Sequence, residues 1–374
     1  MNRHRKIKRF FKDYVNQISP MMIELLEDEL QKSTEKRKRI WTRKWILHRG
    51  THGASVGLLR ELASEDVNEY RSFMRMNVEQ FQLILQNISD KIQRSDTAMR
   101  EAISAKDKLQ VTLSFLATEN SFRTLQHIFR VPKPSISTFL PEVLDAIYDF
   151  LKDYIKVPET DEEWGVLENG FRTRWNFPGC YGAIDGKHVS IQAPNQCGSE
   201  FWNYKGSNSI VLMAIVDHDY CFRYINVGAN GRNSERNCSI YQKLENNNIL
   251  PDGGFLVGDD AFPLKTYLLK PYSHRSLAYD EKIFNYRLSR ARRIVENAFG
   301  ILASRFRIFH KPISTRLEVT NKIIRTACAL HHWLRMTSGI TYLGSGTVDV
   351  EDENTGEIFE GTWRRDFSMP SRYR

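Results

Sequence analysis

The feature that most constrains this chain is the run YGAIDGKHVSI at residues 181–191. It is apolar and rich in strand formers, and its one acid, Asp185, stands where strand alternation puts a buried side chain. A carboxylate taken out of water needs a counter-charge or hydrogen-bond partner. Two later segments carry groups able to answer it. GFLVGDDAFP at residues 254–263 reads as a short apolar strand ending in Asp259 and Asp260, and LSRARRIVENAFGIL at residues 288–302 reads as a helix bearing Glu296. Three carboxylates from separated segments are the oxygen donors that hard divalent cations such as Mg2+ take.

Each acid alone also has a plainer reading. Asp185 beside Gly186 suits a turn cap, Asp259 and Asp260 suit an ordinary turn, and Glu296 suits a surface pair with Arg292 one helical turn away. The order of elements is what joins them. SIVLMAIVD at residues 209–217 is a continuous apolar run of buried-strand length, and FRYINVG at residues 222–228 alternates with period two, so the pair reads as a hairpin. Residues 234–244 regain helical character. The series is therefore strand, strand, strand, helix, strand, helix, with acids on its first strand, its last strand and its last helix. His188 and His218 have no spacing that demands a ligand or acid–base role and read as structural.

The amino-terminal half is helical in pattern. Residues 58–90 repeat apolar side chains at helical spacing. KLQVTLSFLA (108–117), SFRTLQHIFR (121–130), VPKP (131–134) and SISTFL (135–140) then give three short helices with a tight turn before the last. That is what a helix-turn-helix needs to offer Ser135, Ser137 and Thr138 to a groove, although a plain helical bundle shares the pattern. Pro141 is expected to kink or end the last of these helices. Residues 156–180 read as a non-helical boundary, and little apolar content beyond Thr337 reads as a loosely ordered tail.

Charge narrows the partner. The net charge is +9, and residues 1–50 hold 14 Lys and Arg against 6 Asp and Glu, so nearly all the excess lies in this arm. A localised positive segment suits a polyanion such as nucleic acid, with solubility or nuclear import the plainer alternative. Within the arm, residues 21–30 read as a short amphipathic helix, and Trp41 and Trp45 sit four apart, spaced to stack on bases or to anchor the arm. Five scattered cysteines without a C-x-x-C pair indicate neither a disulfide framework nor a zinc site, which fits a reducing compartment. No apolar run reaches about 18 residues, so no membrane span is expected.

Six ordered motifs carry a family resemblance: GAIDGKHV (182–189), FWNYKGS (201–207), VGANGR (227–232), GDDAFPL (258–264), NYRLSRARRIVENAFG (285–300) and ALHH (329–332). On these the chain resembles the Harbinger transposase-derived nucleases, across about residues 175–335. The resemblance implies an α/β fold, with a ribonuclease H-like DDE nuclease core at residues 161–338. Before it would stand a basic arm at 1–55 and an all-α, helix-turn-helix-like region at 56–160; a tail at 339–374 would follow. It implies a nuclear enzyme, with the cytoplasm a second location, that cuts DNA phosphodiester bonds and in active elements transfers strands.

The implied cofactor is a divalent metal, Mg2+ or Mn2+, on Asp185, Asp259, Glu296 and a further acid after the glycine-rich turn. That further position is usually aspartate, and here it is Glu235, a departure that adds a methylene to a site with little geometric tolerance. Catalysis falls to Asp185, Asp259 and Glu296, with Lys187, Lys205 and Arg292 as phosphate contacts. The implied partners are DNA, a Myb/SANT-like protein and further copies of the chain. The alternative is a domesticated adaptor that keeps the fold and has lost cleavage.

Overall fold

The structure, a computed structural model, describes residues 2–34, 42–97, 101–230, 244–246, 249–344, 346–352 and 357–366. It divides into two compact units, Met1–Leu47 and His48–Arg374. In the first, α1 (Asn2–Thr34) is one 33-residue helix with Pro20 inside it, followed by the short α2 (Lys44–Leu47). The expected helix at 21–30 is thus only part of a longer one, because the basic cluster before it contains no helix breaker ahead of Pro20. Trp41 lies outside the described residues.

The second unit opens with helices: α3 (Arg49–His52), α4 (Leu58–Glu65), α5 (Val67–Met74), α6 (Val78–Ile92), α7 (Ala105–Ala117), α8 (Phe122–Phe129), α9 (Lys133–Leu151) and α10 (Asp161–Trp175). Side-chain caps start several of them. Asp66, Asn77, Ser104, Ser121 and Thr160 each accept the backbone N–H three residues on, satisfying donors that a helix start otherwise leaves open. One expectation fails here, and of the two outcomes expected at Pro141 one does not occur. Residues 161–175 are helical, and the missed signal was the Thr160 cap with Glu163 three residues later. Pro141 does not end α9, because the residues around it, Phe139, Leu140, Val143, Leu144 and Ile147, are buried and pin the helix from outside. The short turn before α9 turns on Arg130 in the left-handed region (φ 53°).

The sheet follows: β1 (Cys180–Ser190), β2 (Ser209–Val216), β3 (Phe222–Asn230), β4 (Phe255–Val257) and β5 (Leu268–Leu269), in the spatial order β3-β2-β1-β4-β5. The β1–β2 and β2–β3 pairs are antiparallel, and β1–β4 and β4–β5 are parallel. The sequence pattern indicates four of these strands; the two-residue β5 is added by the structure, and the helix read at 234–244 lies, but for its last residue, outside the described residues. All eight residues of β2 are buried, as a continuous apolar run requires of a central strand. The side chains at 183, 189 and 191 join the main core with the helices, whereas Ile184 joins a smaller cluster with Leu256 and Leu268 on the other face.

Two long helices complete the core, α11 (Tyr279–Arg305) and α12 (Leu317–Ser338). The described residues of the tail expected to be loose are instead built onto α11. A small hairpin, β6 (Val350–Glu351) with β7 (Ile358–Phe359), leads into α13 (Thr362–Asp366). Asp349 is buried and accepts from the Gly361 N–H (2.9 Å) and the Arg364 guanidinium, and the Trp363 indole N–H donates to Asn297 Oδ1 (2.8 Å). Few apolar residues sufficed because polar ones are paired. Among the described residues no helix is long and apolar enough to cross a membrane.

The ALHH motif proves structural. His331 is fully buried, and its Nε2 faces the Tyr220 carbonyl (2.8 Å) while its Nδ1 faces the Tyr342 hydroxyl (2.8 Å). A carbonyl only accepts, so Nε2 donates and Nδ1 accepts from the hydroxyl. Burial pushes the His331 pKa down from 6.5 to about 3. The unfolded chain then takes up a proton that the native one refuses, so this contribution is complete above pH 6.5 and is lost as pH falls toward 3. The melting temperature of the wild type should fall on acidification through this window. His331→Gln should start lower but show a shallower decline, measured by melting curves at a series of pH values; equal slopes would remove His331 as the cause.

Candidate active site

Strand register brings the first two acids together. Because β4 runs parallel to β1 with Val257 opposite Ala183, the residues two further along each strand are Asp259 and Asp185. Asp259 thus follows two residues beyond the end of β4, the strand next to the one that carries Asp185, and it is near enough to act electrostatically on the Asp185 carboxyl. The sheet face of Ala183, and so of Asp185, is the one covered by α11, whose Leu288, Ala291, Val295 and Ala298 are buried in the main core. Glu296 projects from the same helix, and Phe299, one turn on, lies under the Lys187 ammonium at 5.8 Å from the ring centre. Strand positions 185 and 187 are therefore met by helix positions 296 and 299.

Electrostatics report the same gathering. Burial is the main cause that raises the Asp185 pKa from 3.8 to about 6; Asp259 and Glu296 raise it further, while the Gly186 N–H (2.7 Å) and Arg292 oppose. Asp259 holds the turn beyond it by accepting from the Ala261 N–H (3.0 Å). Glu296 is shared: Arg292 Nη1 stands 2.8 Å from its Oε1, and Arg364 Nη2 4.0 Å from its Oε2. The plain reading of Glu296 as a partner of Arg292 is thus what the helix shows, and the pair stands within electrostatic reach of Asp185.

The remaining candidates separate. Lys187 shares the Asp185 face, and its pKa is lowered to about 8, chiefly by burial and then by Lys205, with Asp185 opposing. Lys205 is exposed and lies over the Tyr204 ring at 5.4 Å. His188 points to the opposite face, with Nδ1 2.8 Å from Ser209 Oγ, as a structural histidine would. His218 packs on Gly170, where a Cβ would meet its ring at 2.2 Å. Glu235 lies outside the described residues. Ser135 is half-buried; Ser137 and Thr138 are exposed on the first turns of α9, Thr138 donating to the Pro134 carbonyl (3.0 Å). Ser137 lines a cavity of about 550 Å³ together with Arg123, Lys133, Arg307 and Lys311.

The motif that supplies Lys205 also exposes two aromatic side chains for which the sequence reading gives no role. Asn203 is buried and accepts from the backbone N–H groups of Lys205 (2.9 Å) and Ser207 (3.1 Å), which fixes a tight loop with Trp202 and Tyr204 exposed on it. The available signal was FWNYKGS itself, an asparagine flanked by aromatics that a core does not need.

All three acids fall inside residues 184–332, which match the family described as DDE superfamily endonuclease. Residues 184–332 form a DDE superfamily endonuclease domain. The chain is 27% identical over 259 residues to the Homo sapiens protein named "Putative nuclease HARBI1", covering 67% of this chain and 72% of that one. Its Bos taurus counterpart is 26% identical, over 71% and 76%. Arabidopsis thaliana "Protein ALP1-like" is 26% identical, over 62% and 60%. The family match and the relatives named as putative nucleases agree with the nuclease resemblance that the motifs carry. No solved structure matches.

Enzymes of this superfamily generally use divalent metals. Among the described residues no three His, Cys, Asp or Glu side chains stand close enough together to hold a metal ion. The donors fit such an ion in kind, because Asp185 and Asp259 offer only hard oxygens and their mutual repulsion is what a cation would relieve.

A raised carboxyl pKa means that ionised Asp185 destabilises the fold: the cost is absent below pH 3.8, grows up to about pH 6 and is complete above it. The shift corresponds to roughly 2–3 kcal/mol. Asp185→Asn should therefore stabilise the metal-free protein above pH 6 by up to about 2 kcal/mol and lose that advantage near pH 4, as measured by denaturant titration at both pH values.

Proposed function

We propose that the chain is a metal-dependent DNA endonuclease of the Harbinger type, with Asp185, Asp259 and Glu296 as its catalytic carboxylates. The observation that supports this reading is that Asp259 and Glu296 both act on the buried Asp185 carboxyl, all three within the residues that match the endonuclease family. The sheet order, three antiparallel strands followed by two parallel ones, supports a ribonuclease H-like core.

In this reading Asp185 and Asp259 hold Mg2+ or Mn2+, joined by Glu296 and Glu235. When bound, a pair of such ions activates the attacking water or DNA 3′-hydroxyl and stabilises the leaving oxygen of an in-line displacement. The chain's own residues orient the strand. Lys187, desolvated beside Asp185, and Arg292, one turn from Glu296, offer cations to the phosphates next to the scissile bond. Lys205 extends that positive lining, and Trp202 and Tyr204 present faces on which an unpaired base can stack. Ser135, Ser137 and Thr138, with the cations around the cavity beside Ser137, would contact DNA further from the cut. A Myb/SANT-like partner, homo-oligomerisation and a nuclear location belong to the same proposal.

One observation favours a second reading, that of a DNA-binding adaptor without cleavage. Glu296 already has cations on both oxygens, Arg292 at 2.8 Å and Arg364 at 4.0 Å, and a metal must compete with them.

Supercoiled plasmid incubated with purified protein and Mg2+ or Mn2+ separates the two. The nuclease reading expects metal-dependent nicking that is lost, by a factor on the order of a hundred or more, in Asp185→Ala combined with Glu296→Ala. Salt-sensitive DNA binding of equal strength in both proteins, with no cleavage in either, would establish the adaptor.

A further inference from the structure

The first unit carries an apolar stripe with no role in the acid site. Along α1, Ile7, Phe11, Tyr14, Ile18, Met21 and Leu25 recur at spacings of four, three, four, three and four, which is the heptad period of a helix meant to pack along another helix. Ile7, Phe11, Tyr14, Met21 and Leu25 are exposed, as are Phe10, Val15, Met22 and Leu26 on the stripe's flanks. So wide an apolar face on a helix of this length marks an interaction surface rather than chance exposure.

The charges on the same helix point to its occupant. Arg5, Lys6, Lys8, Arg9 and Lys12 crowd the amino-terminal half, where the first turn has no acid, while Glu24, Glu27 and Asp28 stand in the carboxy-terminal half. This is the reverse of what a helix macrodipole favours, since its positive end attracts acids and its negative end attracts bases. The arrangement opposes α1 as an isolated helix and suits α1 lying against an inverted copy of itself. Basic half then runs beside acidic half at both ends, and the two macrodipoles oppose. The stripe is centred for this: inverted about Asn16, it sets Ile7 against Leu25, Phe11 against Met21 and Tyr14 against Ile18. A parallel pair would instead stack like charges.

We infer that α1 is an antiparallel homodimerisation helix, so that two copies of this chain associate through their amino-terminal units. The inference does not depend on nuclease activity, because it rests on the first unit alone.

The test is sedimentation equilibrium of the full-length chain, freed of nucleic acid, at low and high salt. The expected particle has twice the 43.7 kDa chain mass. Raising salt from about 0.05 to about 0.5 M should weaken the association at least tenfold, because attraction between opposite charges is screened. Ile18→Asp should yield monomers by burying an unpaired charge at the centre, with the melting of the rest of the chain unchanged.

Orientation is read separately. Lys8→Glu with Arg9→Glu, mixed with a second preparation carrying Glu24→Lys with Glu27→Lys, should form mixed dimers in preference to either homodimer. A monomeric wild type, a dimer indifferent to Ile18→Asp, or an association strengthened by salt would each overturn the inference.

Discussion

A carboxylate inside the sheet is the constraint that the rest of the endonuclease domain is arranged around. Asp185 stands on the central strand, on the face that α11 covers, where its ionised form is opposed by burial and by two further acids. Such a position is costly for a structural residue. The surroundings soften it with a backbone N–H from Gly186 and a guanidinium from Arg292, without neutralising it. A site that keeps negative charge under strain is one prepared for a cation, whether a metal, an arginine or both in competition.

Much of this could be read in the sequence because it rests on local periodicity. The apolar run of β2, the alternation in β3 and the short strand before Asp259 are single-element patterns, and each element formed where its pattern lay. What stayed hidden depended on tertiary contacts. The pairing that sets Val257, two residues before Asp259, opposite Ala183, two residues before Asp185, is a relation between strands more than seventy residues apart in the chain. α10 has both a polar cap at Thr160 and a sparse buried stripe, Trp164, Leu167 and Phe171, diluted by acids and glycines, and α9 continues past Pro141 with buried residues on both sides of it. The tail failed for the opposite reason to a core, since its order comes from a buried Asp349 paired with Arg364 rather than from apolar bulk.

The two units divide the physical work. In the larger one several buried polar groups find partners inside the unit: His331 is held at both ring nitrogens, Asp349 by a guanidinium and a backbone N–H, and Asn203 by its own loop. The smaller one leaves a broad apolar face exposed and its charges opposed to its own dipole. The contrast is between side chains paired within one unit and an apolar face left open on the other.

The close of the chain bears on how such a protein can be handled or altered. Trp363 lies so near Gly300 that any added Cβ there would collide with the indole at 2.2 Å, and the neighbouring Arg364 reaches Glu296 one helical turn earlier. The last described helix is therefore part of the lining of the acid site, although it is nearly seventy residues from Glu296 in sequence. A substitution at Arg364, distant in sequence from every acid of the site, would change the charge that Glu296 experiences.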